Sequence, residues 1–147
     1  MPEVAAVKRS TNSSQSPFLD AATLQQIQLE LIRRRQFHDF DGQRVVDCLL
    51  QHRDLWEAVM MDRVAISHPG SLPMLGLMKL RDFAHEEWNV DTLYILTKSK
   101  EDAEKLAGVF NRRQWGGMLD IHTDPDEVDA ALGGAKPGQA ILSIWWE

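Results

Sequence analysis

Apolar residues change their spacing partway along the chain. Leu24, Ile27, Leu31 and Ile32 recur at three- and four-residue intervals, which predicts a helix that Asp20 caps, that a Leu19–Leu24 contact staples, and that ends near Gln36. After Asp41 the same spacing returns through Val45, Val46, Leu49, Leu50, Trp56, Val59 and Met60. Polar residues at His52–Asp54 interrupt it, so the region reads as one long helix or two short ones. Ser67-His68-Pro69-Gly70-Ser71 is punctuated as a loop. Pro73 suits the first turn of a third helix, capped by Ser71 or Leu72 and running to Trp88, with Met74, Leu77, Met78, Leu80, Ala84 and Trp88 on one arc.

From Thr92 the period becomes extended. Thr92–Thr97, Met118–His122 and Ala140–Trp146 are short and apolar, rich in β-branched or aromatic residues, and read as strands. Between them lie two helices with clear signals. The first has Ser99 as its cap, Glu101 and Asp102 in its first turn and Arg112 and Arg113 at its end. The second opens on Asp124-Pro125-Asp126-Glu127 and closes at Gly133-Gly134. The first and third strands are apolar on both faces, whereas the second opposes Leu119 and Ile121 to Asp120 and His122, which suits an edge. Right-handed crossovers then favour the spatial order 2-1-3. The expected fold is α/β: N-terminal helices packed on a small, three-stranded, mainly parallel sheet.

Residues 1–16 are rich in Ser, Thr, Asn and Gln and carry no periodic apolar positions, so they read as a flexible tail. Residues 17–147 are then one domain, helical over 17–89 and β-α-β-α-β over 90–147. The 147 residues hold 44% apolar and 26% charged side chains, which excludes a wholly disordered or membrane-embedded chain. The beginning of the chain shows no apolar targeting segment, and the expected setting is cytoplasmic. Its one cysteine, Cys48, cannot form an internal disulfide, and within an apolar helical run it reads as a small buried hydrophobe rather than a nucleophile. Sixteen basic against 22 acidic residues give a net charge of −6. Asp120–Asp129 alone holds five acids and no base, while bases gather at Arg33–Arg35 and Arg112–Arg113. A nucleic-acid partner would therefore need a local basic patch.

Three groups of residues could carry chemistry or contacts. Thr97, Lys98, Ser99 and Lys100 follow the first strand at a helix N-terminus, where free N–H groups, hydroxyls and ammonium groups suit an anion or nucleotide; no glycine-rich phosphate loop accompanies them. His38-Asp39-Phe40-Asp41, Asp82-His85-Glu86 and His122-Thr123-Asp124-Pro125-Asp126 mix nitrogen and oxygen ligands. Their spacing matches no closed coordination set, and the reading includes no metal or cofactor. Arg112, Arg113 and Trp115, with Arg33, Arg34, Arg35 and Trp145, are the candidates for an exposed contact patch; adjacent Trp145 and Trp146 must face opposite sides of the sheet. No serine elbow or other catalytic signature is present in the sequence. The favoured function is a non-enzymatic protein-interaction or regulatory domain that self-associates or binds another protein. Its rival is a small-ligand or catalytic site at Thr97–Lys100. A nucleic-acid accessory role through the arginine groups comes third.

Overall fold

The computed structural model describes residues 17–63, 80–134 and 136–147. The tail 1–16, the loop Ser67–Ser71 and the start of the third helix expected from Pro73 lie outside them. Helix α1 (Pro17–Ala21) leads into α2 (Leu24–Arg34). Thr23 rather than Asp20 caps α2: its hydroxyl accepts from Gln26 N–H, and the Gln26 side chain accepts from Thr23 N–H in return. Leu19 and Leu24 are both exposed, so no buried staple forms. A two-stranded hairpin follows, β1 (Gln36–Phe37) and β2 (Phe40–Asp41), turning at His38 with φ 47. The Asp41 carboxylate accepts from Gln43 and Arg44 N–H and so starts α3 (Gly42–Gln51).

The next segment corrects the helical reading of Trp56, Val59 and Met60. A single 3-10 turn at Arg53–Leu55 ends the helical region, and Ala58–Asp62 is a strand, β3. Helix α4 (Leu80–Ala84) stops short of the expected Trp88, because the chain turns left-handed at Glu86 with φ 59. The remaining elements fall where their signals predict: β4 (Thr92–Thr97), α5 (Lys100–Arg113), β5 (Met118–His122), α6 (Pro125–Leu132) and β6 (Ala140–Trp145).

The larger sheet has four strands in the order β3-β4-β6-β5, and every neighbouring pair is antiparallel. This overturns the expected three-stranded, mainly parallel sheet of order 2-1-3. Strands β4 and β5 do run the same way, but β6 lies between them. The physical reason is that β4 and β6 are both apolar on two faces, so both must be interior. With β3 on the free side of β4, that condition is met and β5, with its polar face, stays at an edge.

One face of the sheet, carrying Val59, Met61, Leu93, Ile95, Leu142 and Ile144, forms the core with α2, α3 and α5 through Ile32, Val46, Leu49, Ala103 and Leu106. Trp146 closes one end, its ring edge-on to Phe40 at 4.7 Å. The second face carries Met60, Tyr94, Leu96, Ile141, Ser143 and Trp145, with Met118, Asp120 and His122 toward the β5 edge. Helix α6 covers part of it through buried Val128. No helix among the described residues is long and apolar enough to cross a membrane.

Candidate functional site

In the turn after β4, Thr97, Ser99 and Lys100 find partners within the protein. Thr97 is buried, and its hydroxyl lies within hydrogen-bond distance of the carbonyls of Ser99 at 2.8 Å and Ala140 at 3.2 Å. The Ser99 hydroxyl accepts from Asp102 N–H at 3.1 Å, and the Lys100 ammonium lies 3.7 Å from Glu104. Lys98 is exposed.

The arginine and tryptophan candidates separate into two regions. Arg33 and Arg34 meet Glu30 at 3.4 and 3.1 Å, and Arg33 also reaches Asp47 at 3.7 Å. Arg35 donates to the Val90 carbonyl at 3.0 Å and stacks over Phe37 at 4.0 Å, and its burial lowers its pKa. Arg34 and Arg35 border a cleft of about 630 Å³ with Phe83, Glu86, Glu87 and Trp88, in which the two bases face two acids. On the other side, Arg113 donates to Gln51 at 3.2 Å while Arg112 is exposed. Trp115 is half-buried against Phe110, and its carbonyl accepts the Trp146 indole N–H at 3.0 Å. Trp145 lies on the second face, opposite in direction to Trp146, and borders a cleft of about 310 Å³ with His38, Asp39 and Met118.

His122 is where the structure goes furthest beyond the sequence. The sequence groups it with Asp124 and Asp126 while also marking Asp124 as a helix cap; Asp124 does cap α6, accepting from Asp126 N–H at 2.9 Å. The His122 partners are Ser143, whose hydroxyl is 2.9 Å from Nε2, and Glu127, whose carboxylate is 2.9 Å from Nδ1. Asp120 stands 3.9 Å from Nε2. Only the β5–β6 register, which aligns Asp120 with Ser143, could have revealed the serine. The order hydroxyl, imidazole, carboxylate is that of an activated nucleophile. Ser143, however, sits mid-strand with its backbone engaged in the ladder, which leaves its own N–H unable to serve an oxyanion. Among the described residues no group of three His, Cys, Asp or Glu could hold a metal ion.

The two sheet edges differ. Val59 N–H donates to Gln25 at 2.8 Å, its carbonyl accepts from Gln25 at 2.8 Å, and Met61 N–H donates to Gln28 at 3.3 Å. Odd positions of β3 therefore face α2, and even positions pair with β4. Because backbone polar groups alternate sides along a strand, the registers carry this parity across the sheet. Trp146 N–H donating to the Asp91 carbonyl at 3.0 Å fits it. At β5 the even positions bond to β6, and Leu119 and Ile121 turn their N–H and C=O groups outward. No hydrogen bond from a described residue reaches them.

Compared with protein-family models, curated proteins and solved structures, the chain matches none of them.

Proposed function

We propose that this chain is a protein-interaction domain whose contact surface is the second face of the sheet at its β5 end. One observation carries the reading: Met118 is 67% exposed beside half-buried Trp145 at the 310 Å³ cleft, whereas the opposite face of the sheet is packed under three helices. An exposed methionine next to a tryptophan-lined cleft suits a partner's apolar anchor. A cytoplasmic setting belongs to the same reading, since Cys48 is buried and unpaired. A photo-crosslinking residue at position 118, compared with one at exposed Arg44 on α3, tests it in cells of the native host. A discrete adduct from position 118 alone is expected; none, or the same adducts from both positions, contradicts it.

A second reading, hydrolysis at Ser143, is favoured by its two 2.9 Å contacts through His122 to Glu127. Fluorophosphonate labelling of Ser143 that His122→Ala abolishes would support it, and an unlabelled protein would remove it.

A further inference from the structure

We infer that the outer edge of β5 receives an extended segment of a partner protein in which aliphatic residues alternate with Lys or Arg. The inference rests on the interaction reading above and specifies the chemistry of the partner.

Strand addition needs outward backbone groups, a free flank and side chains that match on both faces. The β3 edge fails the first condition, because Gln25 occupies both the N–H and the C=O of Val59 and Gln28 takes the N–H of Met61. The β5 edge meets it with the two N–H and two C=O groups of Leu119 and Ile121. On the core face the side chains of these same residues are half-buried and end the apolar layer. Aliphatic residues of an added strand would continue that layer. On the second face Asp120 is exposed, and Glu127 stands beside His122. Alternate residues of the added strand would lie next to Asp120, where opposite charge stabilises a cross-strand pair.

Charge also decides against a second copy of this chain. An antiparallel β5–β5 pairing that matches the four outward groups of one copy with the same four of the other aligns Leu119 with Ile121, which sets Asp120 directly against its own copy. Like charges so placed are destabilising. From Gln114 to Ala135 the chain has no Lys or Arg, so each copy would bring Asp120 and four further acids with no base among them. A basic residue opposite Asp120 reverses the sign of that contact.

The test uses the full chain and three labelled peptides: one alternating Val with Lys, one of the same composition with its lysines clustered, and one alternating Val with Glu. Fluorescence anisotropy reads binding, and amide exchange locates it. The alternating Val/Lys peptide should bind, slow exchange at Leu119 and Ile121, weaken at least about tenfold in Asp120→Lys, and weaken as salt rises. Asp120→Asn, with a smaller loss, serves if the lysine variant fails to fold. Absence of binding, equal binding of the clustered peptide, indifference to both variants, protection elsewhere, or a β5-paired dimer of the free protein overturns the inference. A surviving position-118 adduct alongside any of these leaves the interaction reading standing. Loss of that adduct ends both.

Discussion

Gln25 holds Val59 through both ends of its side-chain amide, accepting from the N–H and donating to the carbonyl, each at 2.8 Å. A helix side chain thus substitutes for a missing fifth strand. Gln25→Ala should lower stability by about 1–2 kcal/mol, because two backbone groups lose their partners. It should also make the protein associate at high concentration through the uncovered edge. Urea unfolding and light scattering check this; an unchanged midpoint and molar mass would contradict it.

Gly42 lies where α3 starts under the end of α2. A Cβ there would fall 1.9 Å from the Ile32 carbonyl oxygen and 2.7 Å from that of Arg35, both backbone atoms. Gly42 N–H also donates to the Arg35 carbonyl at 2.9 Å. Gly42→Ala should therefore cost about 3 kcal/mol, at the upper end of what forced overpacking costs. Thermal unfolding would show it as a large drop in Tm; a drop no larger than that of an exposed control, Gln43→Ala, would count against the close approach.

Trp146 joins the end of β6 to the loop after α5 through its indole N–H and the Trp115 carbonyl. Trp146→Phe keeps most of the apolar ring and should cost about 1 kcal/mol for the lost hydrogen bond and the orphaned carbonyl. Trp146→Ala should cost about 3–5 kcal/mol. Equal costs for the two variants in denaturant titrations would show that the hydrogen bond, not the packing, dominates.

Burial pushes the Cys48 thiol up, and burial with the nearby Asp62 carboxylate pushes the Tyr94 phenol up. Both groups hold their protons more tightly folded than unfolded. Their contribution to stability is complete below the ordinary thiol pKa of 9.0 and is lost as pH rises through the folded values. Urea midpoints should therefore be flat in these groups up to about pH 9 and fall above it. Cys48→Ala should reduce the slope, and native Cys48 should react slowly with iodoacetamide. Rapid labelling at pH 8 would contradict the burial.

The strands at Thr92–Thr97 and Met118–His122 and both C-terminal helices were legible because their signals are local: alternation, a serine or aspartate cap, a glycine at the end. Strand β3 was not. Trp56, Val59 and Met60 continue the helical stripe of Val45–Leu50, and what makes the segment a strand is its pairing with β4 and its clamp from Gln25, both distant in sequence. The two apolar faces of β4 and β6 were legible, but a three-stranded sheet has room for one interior strand; β3, hidden in the helical stripe, is what gives both a neighbour on each side. The edge position of β5 was legible from Asp120 and His122 alone. The contacts among His122, Ser143 and Glu127 were not, since they depend on a register that local patterning does not encode.

Among the described residues, glutamine side chains cover the β3 edge of the sheet and none covers the β5 edge, and amide hydrogen exchange of the free protein separates the two. Val59 and Met61, though on an edge strand, should exchange slowly, with Gln25→Ala accelerating Val59. Leu119 and Ile121 should exchange much faster than their neighbours Asp120 and His122, whose N–H groups bond to β6. Uniform protection along β5, or fast exchange at Val59, would contradict this difference between the two edges.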